Sequence, residues 1–135
     1  MKQRALYLYL SYALRLTRGE VRKLPGDIHS IEDLFTLSAE SSDTYPAGMR
    51  DKLSRLAPSP AAVAEALRQI EEALALRRIR FLTSRDADWP SRFQTLSDPP
   101  LWLYLKGELP MEYTPTVSVI GSRSASSYGL RMADF

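Results

Sequence analysis

The sequence predicts an α/β chain in two parts, a small helical domain over residues 1–75 and the opening of a parallel α/β domain over residues 76–135. Three observations lead there. Apolar residues recur at helical spacing as far as Leu74, punctuated by capping residues and prolines. At Ile79 the period changes to the alternation of a strand. From that point strand-like and helix-like stretches alternate, the order from which parallel sheets are built.

In chain order, Ala5–Leu16 is apolar on most faces, with Leu6, Leu10, Ala13 and Leu14 at helical spacing, so it reads as a helix packed centrally in a small bundle. Tyr7, Tyr9 and Tyr12 fall at the spacing of core or rim residues rather than of a base-stacking face. Thr17–Glu20 breaks that helix, with a short turn over Glu20–Leu24, and Pro25-Gly26-Asp27 is a turn. Ser30 with an acid three residues on forms a capping box for a short helix carrying Ile31, Leu34, Phe35 and Leu37. Residues 38–45 read as a loop. Pro46 suits the first turn of a helix over Ala47–Leu56. Ser59 and Pro60 then start the longest helix, Ala61–Arg78, with Val63, Leu67, Ile70 and Leu74 on one stripe.

The second part opens with a strand at Ile79–Thr83. Asp88 caps a short helix through Leu96, which puts Trp89, Phe93 and Leu96 on one face. Asp98-Pro99-Pro100 stops it. Leu101–Leu105 is a second strand, residues 109–115 are a connector, and a third strand at 117–120 ends in a loop of small residues that opens a helix at Leu130.

That last stretch carries the chemistry. β-branched residues at 117, 119 and 120 favour a buried strand, and Gly121 at its end lets the backbone turn sharply. The serines offer hydroxyl and backbone donors near a helix N-terminus, where partial positive charge collects. Arg123 adds a planar fork matched to two phosphate oxygens. The pattern suits holding a phosphate. The dinucleotide fingerprint G-x-G-x-x-G is not met, because Arg123 and Ser126 stand where glycines belong, and no Gly-Lys-Ser/Thr follows to make a nucleotide-triphosphate loop. The bland alternative is a polar turn after a core strand.

Composition narrows the classes. A 44% hydrophobic and 25% charged content belongs to a soluble globular chain. A net charge of +2 and a pI near 9.0 permit a nucleic-acid partner without arguing for one. The absence of cysteine excludes disulfides and thiolate metal sites and fits a reducing cytoplasm. A single histidine leaves little for a metal site. No apolar run reaches membrane-spanning length. His29 sits in a turn without a visible partner, and Asp86 and Asp88 are explained by capping, so no nucleophile-base-acid set emerges. Arg77, Arg78, Arg80 and Arg85 form a basic cluster that either meets nucleic acid or caps a helix and faces solvent.

Taken together, Asp88-Trp89-Pro90, the run Asp98-Pro99-Pro100-Leu101-Trp102-Leu103-Tyr104-Leu105-Lys106-Gly107-Glu108, and Val119-Ile120-Gly121-Ser122-Arg123-Ser124-Ala125-Ser126-Ser127-Tyr128-Gly129 resemble the DNA-processing protein A family (DprA, also called Smf). The resemblance covers residues 76–135, and Trp89 stands where the family more often has Tyr. It implies a Rossmann-like domain after a small helical, SAM-like one, and a non-enzymatic protein that binds single-stranded DNA and helps load the RecA recombinase in natural transformation. It implies that Gly121, Ser122 and Arg123 hold a DNA phosphate while Ser126, Tyr128 and Gly129 shape the pocket, with no cofactor and no metal. It also implies a cytoplasmic protein that is a homodimer at full length. Residues 16–20 hold one glycine where many relatives have a Gly-rich helix-hairpin-helix turn, so packing or partner contact is the expected role of residues 1–75. Because the chain stops inside the helix after the loop, it reads as an N-terminal fragment with an open sheet edge that invites self-association, and weak or no DNA binding by itself is expected. Two other classes remain: a nucleotide phosphoribohydrolase-type enzyme, which needs a Gly-Gly loop and catalytic Glu that are not present here, and a helical protein-interaction module.

Overall fold

A computed structural model of the chain describes residues 2–40, 44–110, 114–115, 120–121 and 123–133. Helix α1 (Lys2–Leu8) passes directly into a wider π-helical turn over Tyr9–Ala13. This replaces the single helix expected over 5–16. The turn points Leu8 and Leu10, both fully buried, into two different clusters. Tyr9 is buried beside them, and its hydroxyl accepts the backbone N–H of Ala57 at 3.0 Å.

The segment expected to be a break is a short helix, α2 (Arg18–Val21). Thr17 caps it by a reciprocal box. Its side chain accepts from the N–H of Glu20, and the Glu20 carboxylate accepts from the N–H of Thr17 at 2.7 Å. The Thr-x-x-Glu spacing was there to be read. Lys52 closes on the same carboxylate at 2.8 Å and ties α2 to helix α4 (Ala47–Leu53). Burial pushes the Glu20 carboxyl up, but the Lys52 ammonium and the Thr17 donors outweigh it and hold the group below its ordinary 4.5. The fold therefore favours the charged form. That contribution is complete above the ordinary value and is lost as the pH falls through the lowered one. Glu20→Gln is expected to lower stability at neutral pH by about 1–2 kcal/mol. It should also make the thermal midpoint less steep in the acid range. An acid limb identical to the parent's would show that Glu20 does not drive it.

Helix α3 (Ile31–Glu40) begins as expected, with the Asp33 carboxylate accepting from the N–H groups of His29 and Ser30 at 2.9 and 2.7 Å. Its backbone continues to Glu40, past the loop expected from residue 38. Helix α5 (Pro60–Leu76) starts at Ser59, whose hydroxyl accepts from the N–H of Ala62. Val63, Ile70 and Leu74 are its buried stripe. It ends at Arg77, and Arg78 follows with φ 54° in the left-handed region, where a chain leaves a helix abruptly.

That exit feeds strand β1 (Ile79–Thr83), which pairs with strand β2 (Trp102–Lys106). Alternation of strands and helices predicted parallel pairing; the two strands are antiparallel, with Phe81 opposite Tyr104 and Thr83 opposite Trp102. The physical reason is the connection. Residues 84–101 form no crossover helix but a turn, then a single 3-10 stretch at Ser91–Thr95, and return along the same sheet. Of the short helix expected from Asp88 to Leu96 only this 3-10 stretch forms, and it starts after Pro90 because Asp88 does not cap; it pairs with Arg80. Asp86 makes the turn instead, accepting from the Thr83 N–H at 2.7 Å and from its hydroxyl at 2.8 Å.

The hairpin lies on the helices. Phe81 is buried with Leu8, Ile70 and Leu74, and its ring stands 5.1 Å from that of Tyr104. Burial pushes the Tyr104 phenol up; its oxygen lies 2.6 Å from the Ser11 hydroxyl on the π turn. Trp102 packs 5.8 Å from Tyr7 and touches both buried clusters. Helix α6 (Ser127–Ala133) begins three residues before the expected Leu130.

Candidate functional site

The residues expected to hold a phosphate fall between the second hairpin strand and the end of the chain. Of the strand expected at 117–120, residues 117–119 lie outside the described residues, as does Ser122. Ile120 is described and is 93% exposed, outside any strand, rather than buried. Gly121 and Arg123 are also exposed. The Arg123 guanidinium makes no hydrogen bond or ion pair with any described residue.

Ser126 has a definite local role. Its hydroxyl accepts from the N–H of Gly129 at 3.2 Å, and its carbonyl accepts from the N–H of Leu130 at 3.0 Å. Ser126 is thus the N-cap of α6, which is why the helix starts at Ser127. Gly129 lies on its first turn, where an added Cβ would meet the Ser126 hydroxyl at 3.5 Å, an ordinary contact. Tyr128, on the same turn, is 66% exposed. Ser126, Tyr128 and Gly129 are thus brought together by one helix start, and Arg123 precedes them by one tight stretch of chain.

Two sets of residues that the sequence reading left apart are brought together by the fold. Asp98, which opens the Asp-Pro-Pro run, is clasped by two arginines of the helical part. Arg18 and Arg22 each pair with its carboxylate; Arg18 also donates to the Asp98 carbonyl at 3.1 Å, and Arg22 to the Pro99 carbonyl at 2.9 Å. No sequence signal marks this contact, which joins positions about 80 residues apart. The basic cluster is divided rather than concentrated. Arg77 donates back to the Ala73 carbonyl at 3.4 Å, Arg80 is held by Asp88, and Arg78 and Arg85 stand in solvent. His29 is exposed and contributes only its backbone N–H.

Among the described residues no group of three or more His, Asp or Glu side chains converges as metal ligands, and no described helix is long and apolar enough to cross a membrane. Residues 80–135 match the family model described as DNA recombination-mediator protein A. Over these residues the chain is similar to the DNA recombination-mediator protein A family. The matched stretch starts within β1 and contains the Asp-Pro-Pro run, β2, the loop and α6. No curated protein and no solved structure matches the chain. The family is one of mediators of DNA recombination and is not a known enzyme family.

Proposed function

We propose that this chain contributes single-stranded DNA binding to a recombination mediator, holding backbone phosphates at the loop of Gly121, Ser122, Arg123, Ser126, Tyr128 and Gly129 and carrying out no chemistry on them. The observation that carries the reading is Arg123, exposed and unpaired among the described residues, within the stretch that matches the family. A guanidinium without an internal partner keeps its fork for an external anion, and phosphate is the anion whose geometry it fits. The Ser126 cap fixes the start of α6 next to it.

The reading has further parts. Residues 1–75 form a small SAM-like helical domain used for packing or partner contact. Residues 76–135 open a Rossmann-like sheet. The protein works in the cytoplasm as a homodimer and hands its DNA to a RecA recombinase. The resemblance supports these parts, and the family match over residues 80–135 supports a role in DNA recombination in general.

Binding of this kind is electrostatic and blind to sequence. Fluorescence anisotropy of a labelled single-stranded oligonucleotide, titrated at several salt concentrations, tests it. Arg123→Ala is expected to weaken binding about tenfold at low salt and to reduce the salt slope by about one phosphate contact. Arg123→Lys should restore the charge but only part of the affinity. Binding indifferent to Arg123→Ala would remove the loop from the interface.

A further inference from the structure

A trough runs along the hairpin, and none of its lining residues belongs to the helix-capped loop. At one end a hollow of about 930 Å³ is walled by the end of α5 and by β1, with Arg78, Arg80 and Lys106 on its rim. A second hollow of about 610 Å³ shares Arg80 and Gly107 with the first, and Asp88 and Leu109 with a third. The third, about 600 Å³, is lined by Trp89, Phe93 and two prolines. Each is of the size that takes a small ligand or a nucleotide unit, roughly 300–1,000 Å³.

The two ends differ in chemistry. At the first, Arg78 and Lys106 are exposed and pair with no described carboxylate. Of the acids there, Glu71 is held by Arg4 and Asp86 by Thr83, while Glu108 stands open. Arg78 stands at the helix exit, with its backbone in the left-handed region. At the other end Trp89 and Phe93 stand edge to face at 5.6 Å, both half-buried, so the indole packs on a neighbouring ring with part of its surface open. The acid beside it, Asp88, is neutralised by Arg80. Cations followed along one trough by a propped aromatic ring are the parts of a single-strand track: charge follows the backbone, and a base stacks on the ring.

We propose that this trough is a second contact for single-stranded DNA, with Arg78 and Lys106 meeting phosphates and Trp89 stacking a base, separate from the Arg123 loop. The proposal rests on the reading of the chain as a single-strand binder. The probe is a short oligothymidylate, read by tryptophan fluorescence and by anisotropy in parallel. Stacking on Trp89 quenches the indole, so addition of the oligonucleotide is expected to lower the emission of the parent chain. Trp89→Phe, in which Trp102 remains the sole tryptophan, should show no such quenching. Trp89→Ala is expected to lower affinity about tenfold, and Arg78→Gln with Lys106→Gln should lower it further and flatten the salt dependence.

Arg123→Ala separates the two sites. Quenching that survives in this variant supports the trough whatever the loop does. Binding that depends on Arg123 but leaves Trp89 emission and the Trp89→Ala affinity unchanged overturns the trough and keeps the loop. Absence of binding at low salt overturns both. Equal quenching by a duplex of the same length overturns base stacking, since paired bases present no free face.

Discussion

Phe81→Ala is expected to destabilise the chain by about 3–5 kcal/mol and to release the hairpin from the helices. Phe81 is 3% exposed and joins Leu8, Ile70 and Leu74, the contact through which the sheet rests on α1 and α5. Its ring also faces Tyr104 across the strand pair and lies under the Arg4 guanidinium at 5.8 Å. Truncation leaves a cavity at the joint between the two parts. The larger helical cluster around Leu10, Leu14, Leu34, Met49 and Val63 does not include Phe81. The expected result is therefore loss of the near-ultraviolet signal of Trp102 and Tyr104 at a lower temperature than loss of the far-ultraviolet helical signal. A single coincident transition would show that helices and hairpin fold as one unit.

Leu10→Ala is expected to cost a similar amount, about 3–5 kcal/mol, but to unfold both parts together. Leu10 is fully buried in the helical cluster, and its carbonyl accepts the N–H of Leu16 at 2.9 Å, closing the end of the π turn. Removing it opens the centre of the bundle on which Trp102 also packs. Both spectroscopic signals should be lost together in urea, with the midpoint shifted and the slope unchanged. Retention of the hairpin signal after the helical one is gone would contradict the packing order inferred from these clusters.

The contrast between the two substitutions bears on the division near residue 76. Hydrophobic periodicity shows where one pattern ends and another begins, but says nothing about whether the two stretches share a core. Trp102, in contact with both clusters, and Asp98, clasped by Arg18 and Arg22, couple the family-matched segment to the helices before it.

What the sequence determined by itself is local. Ser30 with Asp33 and Ser59 with Pro60 started their helices where the capping rules put them, because a cap is an exchange of hydrogen bonds within four residues. The stripe of Val63, Ile70 and Leu74 faced the core, and the two strands fell within a residue of the expected positions. The Asp-Pro-Pro run and the Gly-Ser-Arg loop marked the family without any structure, since their identity lies in order and spacing.

Only the tertiary structure decided the rest. The direction of β2 against β1 depends on what the 18-residue span 84–101 does, and there Asp88 chose Arg80 over a helix start. The two arginines on Asp98, the Lys52 contact to Glu20 and the trough between α5 and the hairpin join side chains distant in sequence. Such contacts leave no periodicity behind them. They arise when burial of Leu8, Phe81 and Trp102 brings their carriers together, and packing selects among the many partners that each charge could have taken.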